Sequence, residues 1–161
     1  MRTSAWCLLV AVAAIAAPAA TAADHGTGAR FHAETSLQTS LGFDPTCPGL
    51  AVAATGTVMG TELGAGGWSS QECLDFLSRP GTILVHGAAV LTAADASRLF
   101  LVYDVSTPFD PSGAIHAMGT YTITGGTGRF AGATGSGTTI ANASAVTFTA
   151  NDVLDGTIRL A

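Results

Sequence analysis

The stretch whose spacing most suggests chemistry is Tyr121-Thr-Ile-Thr-Gly-Gly-Thr-Gly-Arg-Phe-Ala-Gly-Ala-Thr-Gly135. A strand running into closely spaced glycines is how dinucleotide-binding proteins bring backbone N–H groups up to a pyrophosphate. That chemistry also needs a helix whose N-terminus faces the phosphates. The residues that follow, Ala133-Thr-Gly-Ser-Gly-Thr-Thr139, are poor helix formers. Too little chain remains beyond them for further strand–helix–strand units, and no Gly-Lys-Ser/Thr makes a phosphate-cradling loop. The segment therefore reads as a turn. Gly125, Gly126 and Gly128 permit a tight reversal, with Gly126 and Gly128 expected at positive φ. Phe130 then plugs the end of a core, while Gly132 and Gly135 let neighbouring backbone approach. No nucleotide and no other cofactor is expected.

The remaining reactive side chains form no recognisable catalytic set. His25, His32, His86 and His116 show neither a His-x-His nor a His-Glu-x-x-His spacing, so no metal site is expected. Gly135-Ser136-Gly137 does not fit a nucleophile elbow. Asn142-Ala143-Ser144 is a glycosylation sequon, of consequence only in a eukaryotic secretory pathway. Tyr103 and Tyr121 each lie on the more apolar face of their strand, Tyr103 with Leu99 and Leu101. A buried phenol needs a partner, a water or a ligand. Two readings stay open: core tyrosines with their hydroxyls at the ends of the fold, or polar handles in a ligand cavity lined also by Leu99 and Leu101. Cys47, in a Pro45-Thr-Cys-Pro-Gly49 turn, and Cys73 have no His or Asn arranged as a catalytic partner. They are expected to form a disulfide.

The elements that must position these residues are strands. Period-two alternation recurs between clusters of Gly, Pro, Asp and Ser, and long helical periodicity is absent. Strands are expected at Phe31–Gln38, Leu50–Met59, Thr82–Thr92, Ser97–Val105, Ala114–Thr124, Thr134–Ala143, Ala145–Thr149 and Gly156–Leu160. In Ala114–Thr124 the residues Ile115, Ala117, Gly119, Tyr121 and Ile123 share one face, and His116, Met118 and three threonines the other. Gly60–Pro80 reads as mostly loop, with one helical turn at Gln71–Leu77. About eight short strands with short connections make an antiparallel sandwich or barrel.

Gly-Gly-Thr-Gly-Arg-Phe-Ala-Gly-Ala-Thr-Gly resembles the Gly-Gly-Thr/Ser-Gly-x-Phe segment of plant allene oxide cyclases and dirigent proteins. It is closer still to a group of bacterial secreted proteins of unknown function with that barrel. Gly56-Thr-Val-Met-Gly-Thr-Glu-Leu-Gly64 is similar to that group's stretch ending in His-Leu-Gly, with Glu62 where His is usual. The resemblance implies a single eight-stranded antiparallel β-barrel with an apolar interior. It implies no activity, because one fold hosts many functions. The catalytic carboxylate region of the plant cyclases and the substrate-guiding polar residues of dirigent proteins find no counterpart in the sequence.

The chain has 161 residues and a net charge of −5. Arg2, the apolar run Trp6–Ala17, Pro18 and the small residues Ala19–Ala23 read as a secretory signal at 1–23, with Cys7 leaving on cleavage. The run is shorter than the about 20 residues that a membrane span needs. One domain, 24–161, is expected to follow and to be secreted, extracellular or periplasmic. It contains no lysine and all 11 acidic residues, which excludes nucleic-acid binding through phosphate neutralisation. Self-association into a homo-oligomer is left open. Three functions compete: a module binding a small apolar molecule, a cofactor-free cyclase or isomerase that works by positioning, and a structural envelope protein without a ligand.

Overall fold

A computed structural model describes residues 28–161; the expected signal segment and His25 lie outside them. Eight strands follow one another: β1 (Ala29–Leu41), β2 (Leu50–Gly60), β3 (Gly64–Asp75), β4 (Thr82–Ala93), β5 (Arg98–Pro108), β6 (Ala114–Thr127), β7 (Thr134–Ser144) and β8 (Thr149–Arg159). Each pairs antiparallel with its neighbours in sequence, and β8 pairs with β1 to close the barrel. Closure leaves no edge strand with unpaired backbone groups. Among the described residues no helix is long and apolar enough to cross a membrane.

Two strand assignments differ from the sequence reading. Gly64–Asp75 is a full strand rather than a loop with a helical turn, and 145–159 is a turn followed by one long strand rather than two short strands. The expected number of strands matched because one omission and one division compensated. Inside–outside alternation elsewhere follows the side-chain pattern: Leu99, Leu101, Tyr103 and Val105 face inward, as do Ile115, Ala117, Gly119, Tyr121 and Ile123.

The two ends of the barrel differ. The turns at 61–63, 94–97 and 128–133 close one end over a dense core that includes Phe31, Leu63, Leu91, Leu99, Ile123 and Phe130. Phe130 is 1 % exposed and plugs this end. Arg129 lies over it, with its guanidinium carbon 4.8 Å from the ring centroid. Arg129 also joins the three turns, donating from Nη1 to Asp95 (3.0 Å) and from Nη2 to the Leu63 carbonyl (2.8 Å). Gly128 permits this reversal with a φ of 60°, and a side chain there would overlap Ser97. The other positive φ values of the segment belong to Gly132, in the same turn, and to Gly125, next to a bulge in the β5–β6 ladder, and not to Gly126 as expected. Gly126 is needed for space instead, because a Cβ there would strike the Arg98 carbonyl and Phe130.

Cys47 and Cys73 form a disulfide with their Cα atoms 5.5 Å apart and a separation of 26 positions in sequence. It ties the turn at 42–49 to β3 at the opposite, open end. Chain entropy assigns a loop of this length about 3 kcal/mol. Reduction is therefore expected to lower stability by about that amount in urea titrations with and without reductant. Free alkylation of both thiols in the unreduced native protein would refute the pairing.

Candidate functional site

The open end is surrounded by the turns at 42–49, 76–81, 109–113 and 145–148, and it carries exposed Leu41, Phe43, Leu77, Phe109, Val146 and Phe148. Inside this apolar rim the barrel is not filled. A cavity of about 130 Å³ runs down between walls that include Val52, Leu74, Val85, Val105, Ile115 and Ala141. That is room for roughly ten water-sized positions. Phe148, on the rim, adopts a φ of 56°, unusual for a bulky residue. Its backbone is held at both groups: its N–H donates to the Ser144 carbonyl (2.9 Å), and its carbonyl accepts from the Thr39 N–H (2.8 Å).

The floor is polar. Glu72 on β3, Tyr103 on β5 and Asp152 on β8 all line the cavity. A smaller void of about 20 Å³ beneath them adds Trp68, Thr139 and Leu154. The register explains how Tyr103 reaches Glu72 across an intervening strand. Glu72 is opposite Gly87, and Gly87 is opposite Tyr103. With no Cβ at Gly87, the phenol ring lies across β4, and a side chain there would overlap it. The Tyr103 hydroxyl donates to Glu72 Oε1 at 2.6 Å, and Ser70 Oγ donates to the same oxygen at 3.0 Å. Gly87→Val is expected to displace the ring and free the phenol from Glu72. The check is the ultraviolet titration of tyrosine. Burial first, and then the Glu72 charge, hold the Tyr103 phenol well above its ordinary value. In the variant that phenol should ionise at lower pH, and an unchanged titration curve would contradict the slot.

Asp152 is arranged differently. The β1–β8 ladder pairs Glu34 with Val153 and Leu37 with Ala150, with no pairing between. In that gap the Asp152 N–H donates to Thr35 Oγ1 at 2.8 Å. The carboxyl faces inward, and its Oδ1 has no hydrogen-bond partner among the described residues. Burial, and secondarily the charge of Glu72, push its pKa up to about 7. Among the described residues no arginine, lysine or histidine lines the cavity. The Trp68 indole N–H is likewise without an acceptor.

Of the four side chains expected to line a ligand cavity, only Tyr103 does so. Leu99 (0 % exposed), Leu101 and Tyr121 are packed in the closed half of the barrel. There Tyr121 meets Phe31 at 6.0 Å between ring centroids, and its hydroxyl has no hydrogen-bond partner among the described residues. Burial pushes its pKa up to about 12. Neither tyrosine hydroxyl is at a barrel end. Glu72, Asp152 and Trp68 were missed by the sequence reading. The available signal was the alternation Trp68, Ser70, Glu72, Leu74, disguised by the glycines before it and by the polar run Ser69-Ser-Gln-Glu72 within it. His86 and His116 face outward, and His86 bonds Asp104 on the surface. His32 contacts Asp155 (2.7 Å) and Glu34 (3.3 Å) on the outer wall, and its pKa is raised chiefly by the Asp155 hydrogen bond. No family model, curated protein or solved structure matches the chain.

Proposed function

We propose that this protein is an exported barrel of the allene oxide cyclase and dirigent type that holds a small, largely apolar molecule in its open half. The observation that carries the reading is the contrast between the two ends. One end is packed shut, while the other opens through an apolar rim into a largely apolar cavity with Glu72, Tyr103 and Asp152 at its floor. Apolar walls supply most of the binding free energy, and a few convergent polar groups orient the ligand. The disulfide suits the oxidising compartment that an export signal at 1–23 would lead to.

A test is native mass spectrometry of protein purified from its own host, followed by solvent extraction. One copy of a small molecule per barrel is expected. Ala117→Phe, which fills the cavity, should abolish retention while the protein stays folded. Absence of any retained molecule, together with no binding of apolar fluorescent probes, would overturn the reading in favour of a structural barrel.

A second reading, a cofactor-free cyclase or isomerase, is favoured by one observation. Asp152, with a pKa of about 7 beside Glu72, can give or take a proton near neutrality inside a largely apolar cavity. Under this reading, Asp152→Asn protein would retain a molecule chemically different from the one extracted from wild type. Identical extracts would leave the binding role alone.

A further inference from the structure

We infer that the polar group this barrel receives is a cation: a protonated amine carried on an apolar body. The inference rests on the binding role proposed above and specifies its ligand.

The first observation is the charge of the floor. Glu72 and Asp152 face one cavity, and among the described residues no basic side chain lines it. Inside a protein, buried carboxylates are ordinarily paired with a cation or fully hydrogen-bonded. Here Glu72 has two donors, Tyr103 and Ser70, both on its Oε1. Asp152 Oδ1 has none. A neutral ligand leaves the two carboxyls in mutual repulsion, and an anion adds a third negative group. An ammonium brings three N–H donors and one positive charge to the place where acceptors and negative charge are in surplus.

The second observation is independent of the acids. Trp68, 4 % exposed, lines the void that Asp152 and Tyr103 also line. The Trp68 and Tyr103 rings are 6.3 Å apart between centroids and inclined at 43°. Aromatic faces at such a site attract an organic cation, most strongly where water is excluded. The indole N–H has no acceptor among the described residues, so a bound molecule with an oxygen near its nitrogen would use it. The aromatic flank and the long apolar wall suit an organic ammonium rather than a metal ion. Among the described residues no three metal-ligating side chains cluster.

The test is calorimetric titration of the exported protein with three probes of one tail length, octylamine, 1-octanol and octanoate, at pH 8. Octylamine is expected to bind at one site, about tenfold more tightly than 1-octanol, the worth of one charge-assisted hydrogen bond. Octanoate should bind most weakly. Asp152→Asn and Glu72→Gln should each shrink the advantage of the amine while leaving 1-octanol unchanged. Asp104→Asn on the outer wall should leave that advantage intact, which separates the site from general attraction to an acidic protein. If 1-octanol binds as tightly as octylamine, or if Asp104→Asn erodes the preference as much as Asp152→Asn, the amine assignment is wrong and the binding barrel stands. If none of the three probes binds, the binding role itself fails and the assignment with it.

Discussion

Asp152→Asn is expected to stabilise the protein above neutral pH, by up to about 4 kcal/mol. The carboxyl has an ordinary value near 3.8 and is raised to about 7 in the fold. Between those values the unfolded chain has lost the proton and the folded chain keeps it. Unfolding therefore releases a proton, and stability falls as pH rises across that window. Above about 7 the folded protein carries the buried charge and its full penalty. Asparagine carries no charge at any pH. In urea titrations the variant should match wild type near pH 4 and exceed it by pH 8.

Other groups do not confuse this comparison. Hydrogen bonds hold Asp44, Asp75, Asp95, Asp110 and Asp155 below the ordinary value. Their contribution is present above about 3.8 and is lost only as pH falls through their lowered values. His32, raised above 6.5, contributes stability at low pH that is lost as pH rises through its folded value. That direction is the same as for Asp152, so the difference between variant and wild type, and not the wild-type curve alone, isolates Asp152. An Asn variant less stable than wild type at pH 8 would mean that the charged carboxylate is well satisfied, and would remove the basis for a cation site.

Phe130→Ala is expected to destabilise the fold by roughly 3–5 kcal/mol, the range for losing a buried aromatic ring. The ring is 1 % exposed and ends the closed core, and Arg129, with its bonds to the turns at 61–63 and 94–97, is stacked upon it. Deleting the ring leaves a void beneath three turns that cannot collapse into it, because the strands entering those turns are paired on both sides. Chemical denaturation should show a lower midpoint with an unchanged slope, which marks a loss of stability without a change in the surface exposed. A loss below 1 kcal/mol would show that the closed end repacks. Phe148→Ala at the open rim is the contrast: Phe148 is 49 % exposed, so stability should change little while retention of an apolar ligand weakens.

Much of the barrel was legible in the sequence because period-two alternation is a local property. The faces of β5 and β6 could be assigned from Leu99 to Val105 and from Ile115 to Ile123 alone, since each strand carries its own record of which side is wet. The Gly125–Phe130 segment declared its turn by residue type, and Cys47 and Cys73 declared their bond by being the two cysteines outside the segment read as an export signal. β3 was illegible for the opposite reason. Gly64-Ala-Gly-Gly and Ser69-Ser-Gln-Glu72 have the composition of a loop. Their extended conformation comes from pairing with β2 on one side and β4 on the other, and not from intrinsic preference. Asn151-Asp152 interrupted the β8 pattern in the same way.

The candidate site follows from closure. A charged residue in a strand reads as solvent-facing, and Glu72 and Asp152 become interior groups only when β8 meets β1 and the opposite walls face each other. Sequence alternation determined which side chains point inward. Which inward side chains touch, and which surround empty space, was decided by partners far apart in the chain: Gly87 making room for Tyr103, Tyr103 reaching Glu72, Leu99 and Tyr121 filling one half while Val105 and Ala141 leave the other open. Packing depends on the summed volume of eight strands across the barrel axis, a quantity that no single strand contains.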